Sequence, residues 1–583
     1  MRAQSCSSVL CLAALATSSA FAQPVPDAGS LQNQQQRQER RFPDRLPEVE
    51  REAVRPALKA GEGLKVLIKR VRFTGATHLA SEAELQAVVA DTVGRELDFA
   101  GLEQLATRVT GFLKGKGHFL ARAYLPRQDM TDGVLEIALL EGRIDGRDGK
   151  GKPFVVVADG KTPLRINSSV LEAIAANSIR AGATAHEEDL ERPMLLINDL
   201  PGISAHASLE PGEEEDSTRV VITAQEGPLF GGNVWVDNYG NRDTGELQSN
   251  LAVQLNDPLH LGDQLSLTGT HTRGLDLGRL SYSLPIGSQG LKLNAAISDM
   301  NYEIIRGTGK VAGLEGSSLT SSLGLSYPFI RSRNTNLYGN VVYTNKALKD
   351  TSLAGTLRDK RLDTLSASLS ADQLDSFAGG GFNSGNINWT NGQVDLSRNA
   401  ADNASDKATY GTQGNFNKLG YGFNRLQKLP GAFTLFVNFS GQYAFDNLDS
   451  SEKFILGGPY GVRAYPGSEA MGDTGWLSNV EVRYDLPVTT SWGSLQFVSF
   501  FDTGHITLHS DPKGIPVPTA TGRNSYELSG WGIGANLVKT GSHSVRLGWA
   551  QKIGSNPGRS VNGQDADSRN EKSRVWLQAT VWF

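Results

Sequence analysis

The chain ends on ten residues that alternate strictly: Arg574-Val575-Trp576-Leu577-Gln578-Ala579-Thr580-Val581-Trp582-Phe583. Val575, Leu577, Ala579, Val581 and Phe583 share one face, and Arg574, Trp576, Gln578, Thr580 and Trp582 share the other. A period of two means a strand. A wholly apolar face opposite a mixed one suits a strand set between lipid and a polar lumen. Left unpaired, such a terminal edge would aggregate, so it must close against another strand. An ordinary sandwich strand has the same alternation, and the rest of the chain has to decide.

The same texture holds from Gly231 onward, where no helical period survives and about 16 alternating segments follow, an even number as such barrels require. In Trp476 to Leu486, Val480, Val482 and Tyr484 stand opposite Asn479, Glu481, Arg483 and Asp485; in Phe433 to Tyr443, the residues Phe433, Leu435, Val437 and Phe439 share a face. Val545, Leu547 and Trp549 stand opposite Arg546 and Lys552. Charge inside and apolar residues outside is the inverted pattern of a transmembrane barrel. Longer connections (Tyr302 to Ser318, Ser397 to Gln413, Asp446 to Gly475, Ser510 to Ser525, Lys552 to Arg574) alternate with mostly shorter ones. That places the long loops outside the cell and Phe583 on the periplasmic side. After the first 22 residues no apolar run approaches 18 residues, so transmembrane helices are excluded and only a closed barrel could span a bilayer.

The N-terminus reads as a secretory leader, residues 1–22, with Arg2, an apolar core from Val9 to Ala16 and a small-residue cleavage site at Ala20-Phe21-Ala22. Both cysteines, Cys6 and Cys11, fall inside it, which excludes disulfides and thiol chemistry from the mature chain. The net charge of −5 gives no bias toward nucleic acid. Residues 23–63 comprise a polar, glutamine-rich stretch (27–40) of good helix formers without an apolar stripe, then a proline-broken linker. Composition alone assigns that stretch to a disordered tail; a helix among polar walls or water is the alternative.

Residues 64–145 read strand, helix, helix, strand, strand. Ser81 and Glu84 make a capping box, Gly117 ends the second helix, and the final strands are Phe119 to Leu125 and Val134 to Ile144. Residues 146–226 repeat that order, with helices around Val170 to Ile179 and from Glu187 to Asn198 and strands Ile203 to Leu209 and Arg219 to Thr223. This is an internal repeat of two α+β domains ahead of a barrel at 227–583.

Catalytic chemistry is missing. Gly160-Lys161-Thr162 lacks the upstream glycine of a phosphate loop, since Val155 stands there. His505 and His509 share a strand face without a third ligand nearby, so no metal is assigned. No nucleophile elbow, zinc motif or triad stands out. The expectation is a protein that is not an enzyme and uses no cofactor.

One connection is unusual. It holds Gly457-Gly458-Pro459-Tyr460-Gly461-Val462-Arg463-Ala464-Tyr465-Pro466-Gly467. Val462-Arg463-Ala464-Tyr465 resembles the V-R-G-Y/F tip of the sixth loop in the Omp85 superfamily, and Phe500-Phe501-Asp502-Thr503-Gly504 is similar to its F-x-D-x-G strand motif, one strand further on. Val236-Asp237-Asn238-Tyr239-Gly240 followed by Thr244-Gly245 resembles the first barrel strand of the two-partner secretion branch. With two POTRA-like domains and about 16 strands, the whole mature chain resembles a TpsB transporter of the haemolysin secretion/activation type.

The resemblance implies the following. The fold is a 16-stranded antiparallel transmembrane β-barrel in the Gram-negative outer membrane, preceded by two periplasmic POTRA domains and an N-terminal plug helix. The function is secretion of a large TpsA-like exoprotein (adhesin, haemolysin or toxin) without ATP, by a monomer set in outer-membrane lipid. The loop carrying Val462, Arg463, Ala464 and Tyr465 folds into the lumen, where Arg463 pairs with Asp502 of the Phe500–Gly504 motif. Asp502 shares a face with Gln496, opposite Phe497 and Phe501, so it points inward. Ala464 replaces the usual glycine, and a left-handed backbone there would disfavour alanine. Two rivals stand beside this reading. An assembly factor that inserts other barrels carries more POTRA domains and no plug, and a passive porin needs no periplasmic domains.

Overall fold

The computed structural model describes residues 25–38 and 66–583, apart from 129–131, 148, 150, 161–162, 185, 215–216, 513–516 and 518. The expected leader, the linker from Phe42 to Gly63 and the end of the polar stretch lie outside the described residues, as do parts of the Gly160–Thr162 and Glu213–Asp216 segments. Sixteen antiparallel strands close on themselves. They are β1 (Phe230–Asp237), β2 (Gln248–Asn256), β3 (Gln264–His271), β4 (Leu275–Ile286), β5 (Leu291–Glu303), β6 (Glu315–Arg331), β7 (Thr335–Ser352) and β8 (Gly355–Asp375). They continue with β9 (Gly381–Asp395), β10 (Gly414–Lys428), β11 (Phe433–Ala444), β12 (Thr474–Thr490), β13 (Gly493–Thr507), β14 (Ser525–Lys539), β15 (His543–Ile553) and β16 (Ser573–Trp582). The seam pairs β1 with β16, from Asn233 opposite Trp582 to Asp237 opposite Gln578. Gly232 and Phe583 extend it with two mutual backbone hydrogen bonds of 3.0 and 3.1 Å, so the last strand leaves no open edge.

The alternation read from the sequence is the observed inside and outside. On β16, Val575, Leu577, Val581 and Phe583 face outward, while Arg574, Trp576 and Thr580 are buried inside. On β12 and β13, Val482, Phe497 and Phe501 face out; Asn479, Glu481, Arg483, Gln496 and Asp502 face in. No described helix is long and apolar enough to cross a membrane. Exposed aromatic side chains, Phe433 at one end of β11 and Tyr443 and Phe445 at the other, border this apolar band, as the two interfaces of a bilayer favour. One difference concerns the long connections, where no helical period was expected: Gly307–Val311 and Ala400–Ala408 are short helices. The second is capped by Asn399, whose side chain accepts from the backbone of Ala401 and Asp402.

The two N-terminal domains form separate sheets and cores. In the first, Arg70–Gly75 pairs in parallel with Val134–Leu140, which pairs antiparallel with Arg122–Tyr124. Helices Glu82–Val89 and Phe99–Gly115 cover the sheet through Leu85, Val89, Leu105, Val109 and Leu113. The Ser81–Glu84 capping box forms, and Gly117 takes φ +97° just past the longer helix. In the second, Ser217–Glu226 runs between Ile203–Pro211 and Phe154–Ala158, covered by helices Ser168–Ala176 and Glu187–Asn198.

The strand expected from Val134 to Ile144 is instead two. Gly142 breaks it with φ +67°, and a Cβ there would run into Leu120. Beyond the break, Arg143–Ile144 pairs with Ser217 and Thr218 of the second sheet. That second domain docks on the barrel turns nearest it. Arg331 holds Asp199 through two hydrogen bonds of 2.8 Å, and Arg192 bonds the Pro328 carbonyl at 2.9 Å. Asn177 reaches the Ser288 carbonyl at 2.7 Å. The longer loops 304–314, 396–413, 445–473, 508–524 and 554–572 all leave the opposite end.

Candidate functional site

Helix α1 (Ala28–Gln38) lies inside the barrel, with Ser30, Gln32, Gln34 and Gln35 buried although polar. Buried amides need partners, and several find carbonyls. Gln38 donates to Tyr239 O at 3.1 Å, Asn33 to Lys453 O at 2.6 Å, and Arg37 to Gly457 O and Tyr460 O at 3.1 and 3.0 Å. The stretch is not devoid of apolar anchorage, as its composition suggested. Ala28 and Leu31 pack with Leu275, Met300, Tyr302 and Leu348 of the barrel wall. Gly29 permits close approach to the 445–473 loop, since a Cβ would stand 3.2 Å from Ser451 Cβ and 2.9 Å from its backbone nitrogen.

That loop, joining β11 to β12, turns back into the lumen and carries the motif tip. Arg463 spans two acids. Its Nε and one terminal nitrogen donate to Asp502 at 2.9 and 2.7 Å, and the other terminal nitrogen to Glu481 at 2.7 Å. The Arg463 backbone N–H adds a bond to Asp502 at 3.1 Å, and its carbonyl accepts from the Trp576 indole at 2.7 Å. Such a fork on a carboxylate is geometry that arginine supplies and lysine cannot. Below it lies Phe500, with the guanidinium carbon 3.5 Å from the ring centre. Asn479 completes the set, donating to Asp502 at 2.7 Å and to Gly461 O at 3.0 Å. Asp502 is fully buried, and Glu481 also holds Arg483 at 2.8 Å.

The remaining motif residues explain the fit. Val462, Ala464 and Tyr465 are fully buried. Ala464 is not among the residues of positive φ, so alanine costs no backbone strain at the tip. Room for its methyl comes from Gly530 on β14, where a Cβ would stand 2.6 Å from Ala464 Cβ. Gly504 does the same for Leu456, whose methyl and the Trp476 carbonyl occupy the space a side chain would need. Lys552 lies 4.9 Å from the centre of the Tyr465 ring. His505 and His509 do not converge: His505 lies 3.3 Å from Ser525 Oγ, while His509 stacks on Tyr410 at 4.2 Å.

Sequence reasoning missed a second anchorage at the loop's shoulder. Glu452 meets Lys346 at 2.6 Å and Lys418 at 2.7 Å, and Asp449 meets Lys360 at 2.5 Å. All five are buried or nearly so. The available signal was inward parity: Lys346, Lys360 and Lys418 are charged residues on the lumen face of β7, β8 and β10, and a buried charge demands a counter-charge.

A closed barrel with outward apolar residues, two α+β domains at one mouth, and a lumen holding a helix and a returning loop defines an outer-membrane transporter. The family model for haemolysin secretion/activation proteins ShlB/FhaC/HecB matches residues 216–537, and that for the ShlB-type POTRA domain matches residues 66–142. The chain belongs to this family, with its barrel in the outer membrane of a Gram-negative bacterium and its POTRA domains in the periplasm. Curated relatives include the heme/hemopexin transporter protein HuxB of Haemophilus influenzae, 25% identical over 90% of this chain and 88% of the relative. Another is the outer membrane transporter CdiB of Escherichia coli, 26% identical over 91% of this chain and 88% of the relative. The solved structure of CdiB from Escherichia coli superposes with a TM-score of 0.64 at 21% identity, covering 96% of this chain and all of that one. A BamA barrel from Haemophilus ducreyi lacking POTRA domains 1–3 superposes at 0.55 and 14% identity, covering 89% and 100%, which shows the shared barrel fold.

Proposed function

We propose that this chain secretes one large exoprotein, an adhesin, haemolysin or toxin, through the lumen of its own barrel, acting as a monomer and without ATP. The domains at 64–145 and 146–226 take up the unfolded client in the periplasm, the edges of their sheets offering unpaired backbone groups to an extended segment. Helix α1, within the 23–63 segment, is the resting plug. Arg463 and Asp502 fix the lumen loop beside the path, with Val462, Ala464, Tyr465, Phe500 and Gly504 shaping its seat. Folding outside the cell gives the transfer its direction.

The observation that carries this reading is how the lumen is filled. Beyond the packing of Ala28 and Leu31, helix α1 is held by hydrogen bonds to carbonyls of Tyr239, Lys453, Gly457 and Tyr460. Water can replace such bonds at small net cost, so the helix can leave without unfolding the wall. Deleting residues 27–56 tests it: single-channel conductance in planar bilayers should rise while the heat-modifiable barrel persists. Unchanged conductance rules out a resting plug.

A further inference from the structure

The outward wall carries a groove in its periplasmic half, about 480 Å³ in volume and lined mainly by apolar side chains of β6 to β9. Small residues make its floor. Gly339 of β7 stands opposite Tyr327 of β6 and Leu369 of β8, and Ala367 of β8 stands between Val341 and Trp389. A β-bulge between Pro328 and Ile330 turns the end of β6. Phe329 and Ile330 are therefore both exposed, where a regular strand would turn one of them inward. Phe329 leans over Gly339, where a Cβ would stand 2.5 Å from the ring, and it meets Tyr327 edge-on at 5.3 Å.

A second cavity, about 190 Å³, opens between the second periplasmic domain and the barrel turns, and Tyr327 lines both. This one is polar, with Asn177, Ser178 and Arg192 from the domain and Gln289 from the turn between β4 and β5. Arg192 is the only charged residue that lines it. Its guanidinium donates to two neutral acceptors, the carbonyls of Pro328 at 2.9 Å and Gln289 at 3.5 Å. It forms no ion pair among the described residues. Glu188, one helical turn back, does not reach it; Glu191 accepts from the Arg333 backbone N–H at 2.6 Å, and Asp199 holds Arg331. The Ser178 hydroxyl and the Gln289 side-chain amide have no partner among the described residues either.

We propose that this joint binds one anionic glycerophospholipid of the periplasmic leaflet, with an acyl chain in the wall groove and the phosphate at Arg192. The wall lies in the outer membrane, so hydrocarbon fills a depression in it; an empty one would forfeit dispersion contacts. Tyr327 stands where the groove meets the polar cavity, the depth at which a ring with one wet end is favoured. A guanidinium without a counter-charge suits a phosphate, to which its planar donors can bond in pairs. A zwitterionic headgroup would bring its own cation beside Arg192, which sets the preference for a net negative lipid. The bound lipid would touch both the domain and the barrel, so the bilayer itself would help hold the domain at the rim.

The test uses the full chain in phosphatidylcholine nanodiscs, with Trp389 as the reporter because it borders the groove and is exposed. Its share of the fluorescence is the difference between the unaltered chain and Trp389→Phe. Phosphatidylglycerol brominated on its acyl chain should half-quench that share at about a tenfold lower mole fraction than brominated phosphatidylcholine, the preference that one charge-assisted hydrogen bond supplies. Arg192→Gln should bring the two lipids together. Gly339→Val, which fills the groove and leaves Arg192 in place, should also remove the preference. If Arg192→Gln frees the domain, seen as faster proteolysis near Asp199, Arg192→Lys decides, since it keeps the charge and should keep most of the preference. Equal quenching by the two lipids in the unaltered chain overturns the site. So does a preference that survives both Arg192→Gln and Gly339→Val, or one that Arg192→Lys abolishes.

Discussion

Replacing Arg463 by alanine removes the fork on Asp502, the bond to Glu481 and the ring contact with Phe500 together. Asp502 then stays fully buried with only the Asn479 amide and a backbone N–H as partners, while Glu481 keeps Arg483. Removing one partner of a buried pair costs about 3–5 kcal/mol. The two surviving bonds to Asp502 favour the lower end, about 3 kcal/mol. At 1.4 kcal/mol per decade, the population with the loop tip released should rise roughly 150-fold.

Asp502→Ala should cost less, about 1–2 kcal/mol, since Arg463 retains Glu481 and Phe500. The double variant should be no worse than Arg463→Ala alone, because it removes the stranded carboxylate. The assay is maleimide labelling of Ser468→Cys, a half-buried loop position, read from outside the cell beside release of client into the medium. Labelling that rises less than about threefold in Arg463→Ala, or losses that simply multiply in the double variant, refutes a shared lock.

Other outcomes follow from the same geometry. Gly504→Val should displace Leu456 and lower secretion while the heat-modifiable barrel remains; secretion at the native rate means the loop does not need that seat. Deleting either periplasmic domain, 64–145 or 146–226, should abolish secretion with barrel still present, whereas normal secretion removes that domain from client capture. Arg331→Ala should free the second domain from the barrel rim, raising proteolysis near Asp199; an unchanged cleavage rate means the ion pair does not hold the domain. Glu84 is held down at about 2 by its hydrogen bonds with Lys116 and then Ser81. Its support for the helix is therefore complete above the usual carboxylate range and fades as pH falls toward about 2. Glu84→Gln should flatten that limb in a thermal-melt pH series, and an identical acid limb in both proteins contradicts it.

Much of this architecture was legible because a barrel wall is a local pattern. Whether Asp502 or Phe501 points inward depends on parity alone, and a slip of one residue would reverse every side chain of the strand. The resemblance of the two motifs to the Omp85 loop and strand motifs then implied the pairing of Arg463 with Asp502. The shoulder anchorage was hidden for the opposite reason. Lys346, Lys360 and Lys418 are plainly lumen-facing, but which acid each meets depends on the path of a loop that no periodicity constrains. The strand break at Gly142 was misread because apolar residues recur from Val134 to Ile144 on both sides of Glu141, and the positive φ of the glycine divides the run between two sheets. For α1, polarity argued for disorder, and its burial follows from the carbonyls and charges that surround it.

The central claim is that the client passes through a lumen that α1 must vacate. Asn33 on α1 donates to the backbone carbonyls of Ser450 and Lys453 in the lumen loop at 3.3 and 2.6 Å, so Asn33→Cys with Ser450→Cys places two thiols on segments that already touch, and the disulfide is verified by a mobility shift that reduction reverses. Secretion should be followed in this double variant under oxidising conditions and again after dithiothreitol. The account predicts that the oxidised barrel keeps its resting conductance and releases no client, and that reduction restores release. Secretion at the native rate with the helix covalently tied to the lumen loop would contradict it.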